Sequence, residues 1–304
     1  MSRRAWALFA AMCFIWGVPY LLIRVAVREV EPAAVVFLRT SIGGLVLLPF
    51  AWRRVSFHAL LARWRWLLVF TAIEVAVPWW LLTAAEQHLS SALAGLLIAA
   101  VPLLAVLLSR LTSNPERVDV VRGTGLFVGI AGVAALVGLQ FGDVNLLAVG
   151  AVLLTALGYA AGPLVVSRRL SDLPSIGVVV VSLLVSAVVW APAGLLSWPH
   201  HVSAKAAWSI ATLAVVCTSA AFVVFFALIA QVGPSRATVF TYINPAVAIA
   251  LGVAVLGESF TAGMAVGFPL VLIGSVLATR SPRPAAATLP GPTAAPVTTD
   301  SFGR

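Results

Sequence analysis

The 304-residue chain is 62% apolar and only 10% charged, with a mean hydropathy of +1.08 and a net charge of +9. Soluble domains run about 45–50% apolar and about 25% charged, so a soluble enzyme, a disordered chain and a secreted disulfide scaffold are all excluded. The solvent is lipid, and the basic residues are scattered between apolar blocks and form no nucleic-acid-binding face.

A membrane-spanning helix needs about 20 mostly apolar residues. Ten such blocks are predicted, at 5–24, 32–52, 66–84, 88–109, 121–140, 145–166, 174–196, 206–229, 236–256 and 261–280. They are too long for the strands of an outer-membrane barrel. Backbone groups in lipid must bond internally, so the class is an all-α integral membrane protein. The first block follows Arg3 and Arg4 but has no convincing cleavage site, and it reads as a retained helix.

Span one carries Trp16 and Tyr20 four residues apart on one face, with Pro19 between them freeing the carbonyl of Ile15. That face either lines a cavity or simply packs. Span two holds Arg39, the one cation deep inside a block. Span three holds Glu74 at mid-block, then Pro78, Trp79 and Trp80. An ionised side chain at mid-bilayer costs about 2.5–3.5 kcal/mol on insertion scales. Glu74 must therefore pair, face the interior or carry a proton. Depth arithmetic at about 1.5 Å per residue puts Arg39 and Glu74 roughly 8 Å apart in height, so Arg39 can pair with Glu74, clamp an anionic substrate group or snorkel. Trp79 and Trp80 suit an interfacial belt slightly better than substrate stacking. Glu86, Gln87 and His88 read as a solvated helix end, with an outer gate as the alternative.

Pro102 kinks span four; in span nine Tyr242, Asn244 and Pro245 place polar groups beside a freed carbonyl, which calls for partners or a wet cavity. Glu258 is expected to close the turn between spans nine and ten. Cys13 and Cys217 both sit in apolar blocks and read as small buried hydrophobes. Residues 281–304, dominated by Pro, Ala and Thr, are expected to form a disordered tail. With the N-terminus in the cytoplasm, fifteen of the nineteen basic residues fall inside; Arg24, Arg28 and Lys205 lie outside, and Arg39 is buried in its span. This predicts cytoplasmic N- and C-termini and an inner-membrane location.

The chain matches itself at a shift of 142 residues. Pro32 meets Pro174, Glu116 meets Glu258, Gly125 meets Gly267, and Gly132 meets Gly274; a one-residue gap brings Pro102 onto Pro245. The four glycines are placed for close helix contact. The expected organisation is a first repeat at 1–142, a second at 143–280 and the tail. Five helices per repeat is an odd number, so the second enters the membrane upside down, an arrangement that suits alternating access.

Trp16-Gly17, Phe37-Leu38-Arg39, Ala85 to Ala92 leading to Pro102, and Asn244-Pro245 followed by Leu256-Gly257-Glu258 resemble the drug/metabolite transporter superfamily, in particular its EamA-type members. The first half departs from this pattern, with Ser113-Asn114-Pro115-Glu116 in place of Leu-Gly-Glu. The resemblance implies ten helices, cytoplasmic termini and export or exchange of small metabolites. Walker, G-x-S-x-G and H-E-x-x-H motifs are absent, so no enzyme, cofactor or metal is expected and a gradient must supply the energy. The expected partners are a small-molecule substrate such as an amino acid or related amphiphile, and the bilayer. A nucleotide-sugar or lipid-linked substrate carrier, and a membrane scaffold or enzyme without transport, stand as rivals. The oligomeric state is left open, and a monomer is compatible with the sequence.

Overall fold

The computed structural model describes residues 1–52, 56–111, 120–139 and 144–279. Arg53, Arg54, Glu116, Arg117 and the expected tail lie outside them. Secondary structure among the described residues is entirely helical. Among the described residues, eight helices are long and apolar enough to cross a membrane: α1 (Arg3–Ala26), α2 (Pro32–Trp52), α3 (Trp64–Ala85), α4 (Ser91–Ser109), α5 (Val120–Gly138), α6 (Leu146–Leu170), α7 (Ser175–Leu196) and α8 (Ala204–Val232). Two shorter apolar helices follow, α9 (Asn244–Leu256) and α10 (Ala262–Ala278).

The ninth block is not one continuous helix from 236. Pro234–Ala237 and a 3-10 turn at Thr238–Tyr242 precede α9, which starts at Asn244. Pro245 has no N–H to continue an α-helical ladder across this point. α4 breaks at the corresponding place: the N–H groups of Ala99 and Ala100 bond three residues back, to Leu96 and Leu97, just before Pro102.

Without a hydrophobic force between helices in lipid, association rests on close packing and polar contacts. The main partners are α5 with α10, α2 with α7, α3 with α6, α1 with α8, and α4 with both α6 and α9. Gly125, Gly132, Gly267 and Gly274 lie where α5 and α10 touch backbone to backbone. A Cβ on Gly274 would stand 2.3 Å from the amide nitrogen of Gly129, and one on Gly125 would stand 2.4 Å from that of Ala278. Phe127, Leu147, Val188 and Trp208 are exposed on the outside of the bundle and give it an apolar surface.

Candidate functional site

Local departures from α-helix position the polar side chains. α1 is interrupted at Trp16–Val18, because the N–H of Gly17 bonds the carbonyl of Phe14 and Pro19 has no N–H to give. With its amide oriented so that the nitrogen faces acceptors, Asn244 links α1 just ahead of this break to the 3-10 turn, donating to the carbonyls of Cys13 at 3.0 Å and Phe240 at 3.1 Å. Gly17 permits the approach, since a Cβ there would meet Val247 at 2.5 Å. The Trp16 ring packs among Phe222, Phe225 and Phe240. Tyr20 is buried one turn along, against Gly95 of α4.

The third helix of each half carries a π segment, Thr71–Ala76 in α3 and Val215–Ala220 in α8. Such wide turns splay the backbone and free carbonyls for other donors. Trp190 of α7 donates to the carbonyl of Ala76 at 2.9 Å, and the Thr218 and Ser219 hydroxyls reach the carbonyls five residues back, Leu213 at 2.8 Å and Ala214 at 3.0 Å. Glu74 occupies the first π segment and Thr218 holds the matching place in the second.

Arg39 is buried and binds across the bundle. Its Nε donates to Thr218 Oγ1 at 3.0 Å, and its guanidinium lies 3.7 Å from the centre of the Trp79 ring. Both contacts use the planar, delocalised head of arginine. Glu74 is half-buried, with Oε2 sealed from solvent and unpartnered. It leans on α6, where Gly158 and Gly162 leave room: a Cβ on Gly158 would collide with the carbonyl of Ile73, and one on Gly162 with the Glu74 carboxylate. Tyr159, between those glycines, lies among Arg39, Glu74 and Trp79. Glu74 and Trp79 border a small, mainly apolar cavity of about 70 Å³ with Phe70, Val75, Leu183 and Phe222.

The end of the bundle carrying the α3–α4 turn is tied together by carboxylates. Gly257, at φ +67°, ends α9 in the left-handed region, and the N–H of Glu258 closes back on the carbonyl of Gly252. This turn aims the Glu258 side chain at the start of α4. It accepts from Ser91 N at 2.7 Å, from Ala92 N at 3.0 Å and from the Ser91 hydroxyl at 3.1 Å. Ser90 accepts from Leu93 N, so three free N–H groups of this helix start are satisfied. Glu29, after α1, accepts from the backbone N–H and hydroxyl of Ser203, which caps α8. Those two bonds hold the Glu29 carboxyl below the usual range. Arg24 donates to the main-chain carbonyl of Glu86.

The structure thus brings Arg39, Glu74 and Trp79 to one centre, with Tyr20 close by, and places Trp16 and Asn244 in a second cluster around the α1 break. Tyr242 belongs to neither; its hydroxyl lies 3.3 Å from that of Thr279 beyond α10. Three expectations are corrected. Trp79 is no belt residue, because its ring is buried under Arg39. Arg39 makes no ion pair with Glu74, because Thr218 and Trp79 already occupy its head group. Glu86 is not solvated: it is wholly buried, while Gln87 and His88 are exposed. Thr218, Gly158 and Gly162 were missed. The G-x-x-x-G spacing of the two glycines was a usable signal; Thr218 offered none, being an ordinary hydroxyl residue in an apolar block.

Gly162→Ala tests the seat of Glu74. The added methyl displaces the flexible carboxylate end and not a backbone, so the variant is expected to fold with near wild-type thermal stability. Ångström-scale misplacement of a working group can reduce rate by about tenfold or more, so any flux that depends on Glu74 falls by about that factor. Melting curves and initial rates check the two halves of this expectation.

Ionisable groups in the interior of a membrane-spanning bundle mark a functional site. The comparison with known families is specific: the EamA-like transporter family matches at residues 4–138 and again at 146–280, and the chain belongs to that family. It is 26% identical over 278 residues to an uncharacterized transporter, YvbV, of Bacillus subtilis (strain 168), covering 89% of this chain and 90% of the relative. It is 28% identical over 263 residues to an uncharacterized inner membrane transporter, YedA, of Escherichia coli (strain K12), covering 84% of this chain and 83% of the relative. A solved crystal structure with 22% identity superposes at a TM-score of 0.61, over 90% of this chain and 96% of the other, and shares the fold.

Proposed function

We propose that this EamA-family chain is a secondary transporter that exports small metabolites, amino acids or related amphiphiles, by alternating access. In this reading ten helices form two inverted five-helix repeats, both termini face the cytoplasm, and the α3–α4 end of the bundle is the outer one. Proton movement through Glu74 couples the flux to a gradient. The observation that carries the reading is the central group: a cation held over the Trp79 ring, and a carboxylate with an unpartnered oxygen on the cavity that Trp79 borders. An amphiphile with a charged end and an apolar body finds complementary surfaces there.

The test uses purified protein in liposomes that hold a pool of amino acids and amphiphilic metabolites, with incorporation and orientation verified. An imposed pH gradient is expected to drive uptake of at least one compound, and Glu74→Gln is expected to abolish that response. Equal, gradient-independent movement by both proteins would make the chain a facilitator and Glu74 a structural residue.

A further inference from the structure

Glu86 lies at the end of α3, faced by Arg39 and Tyr20 from the central group, and is the most thoroughly buried carboxylate among the described residues. It caps the end of α3, one residue beyond the apolar span, with no exposed surface, and neither carboxylate oxygen has a hydrogen-bond partner. The charged and titratable groups that face it are Glu258 from the α9–α10 turn, Arg24 and Tyr20 from α1, and Arg39 from α2. Neither arginine forms an ion pair with it: Arg24 donates to the main-chain carbonyl of Glu86, and Arg39 donates to Thr218. An ionised carboxylate sealed away without a partner is strongly disfavoured, and such a group takes up a proton instead. Burial, and then the like charge of Glu258, push the Glu86 carboxyl well above the usual carboxylate range.

We propose that Glu86 is a second proton-binding site, loaded from the outer solution and locked in by the Glu258 clasp on the start of α4. The clasp joins the two halves of the chain, so the outer side cannot open while it holds. Opening frees Glu258 from Ser91 and Ala92, lets water reach Glu86 and allows the carboxylate to exchange its proton. Closing buries the neutral acid again. Each opening therefore exchanges the Glu86 proton with the outer solution, at one end of the helix that carries Glu74. Twelve residues at about 1.5 Å each separate the two carboxylates by about 18 Å. This role stands on the transport reading, but its test needs no substrate.

The test is infrared spectroscopy of the full-length protein in liposomes at pH 7.5, followed by transfer to D2O. The wild type is expected to show absorption from protonated carboxylic acid, part of which disappears in Glu86→Gln and a different part in Glu74→Gln. In D2O the Glu86 component is expected to shift slowly. In Glu258→Gln, where Glu86 itself is intact, it should shift roughly tenfold faster, because a charge-assisted cap on a helix start stabilises the closed state by about that factor. The same variant is expected to lose the Glu86 component at a lower pH, since a neutral neighbour no longer opposes ionisation. A Glu86→Gln spectrum identical to wild type would show Glu86 ionised and overturn the proposal, as would an exchange rate unaffected by Glu258→Gln. Either result leaves the transport reading to its own flux assay.

Discussion

Gly274→Ala is expected to destabilise the protein by about 1–3 kcal/mol, the usual range for overpacking a tight contact. The new Cβ would stand 2.3 Å from the Gly129 amide nitrogen and 2.4 Å from its Cα. Backbone cannot swing aside as a side chain does, so α5 and α10 must separate along their length. The loss falls on a contact that has no water-driven force behind it, only fit. Gly150→Ala is the internal control: nothing lies within 4 Å of its added Cβ, and alanine in a helix interior is favoured over glycine by roughly 0.5–1 kcal/mol. Thermal unfolding of both variants in the same detergent checks the pair. Equal melting temperatures would mean that the α5–α10 seam is looser than described.

Arg39→Lys is expected to reduce the initial rate of substrate flux by roughly 10–100-fold while leaving insertion and folding intact. A lysine keeps the charge but loses the planar head that lies on Trp79 and the fixed Nε donor that meets Thr218. The cation then has no defined position, and misplacement of this order costs about that factor. Flux of the compounds identified by the liposome pool, normalised to protein incorporated, checks it. A rate within twofold of wild type would reduce Arg39 to a counter-charge. Thr218→Val separates the two contacts: it leaves the stacking and strands one buried donor, at a cost of about 1–3 kcal/mol in stability.

The sequence exposed the features that act over short distances. Apolar run length located nine of the helices to within a few residues, but the ninth block begins eight residues before α9; Pro19 and Pro102 marked the breaks in α1 and α4, and Pro245 the start of α9. Rotation about the helix axes was not legible. Whether Arg39 faces Glu74 or Thr218 depends on how α2 sits against α8, and the π segments, which shift the phase of α3 and α8, leave no mark in a hydropathy pattern. Glu86 shows the same limit. Its neighbours Gln87 and His88 look polar and solvated, and they are; the residue beside them is buried only because α1 and the α9–α10 turn close over it. Glu258 read as a turn residue, and its turn is real, but its partners lie 167 residues away in Ser91.

That separation bears on how the chain is made. The start of α4 leaves the ribosome long before the carboxylate that completes it; at about 5–20 residues per second the interval is roughly 8–30 seconds. Until then the first half must sit in the membrane with the N–H groups of Ser91 and Ala92 satisfied by water or lipid headgroups, so it should be a substrate for quality-control proteases when expressed alone. Supplied on a separate chain, the second half is expected to rescue it, and a rescuing half that carries Glu258→Ala would leave the first half short-lived.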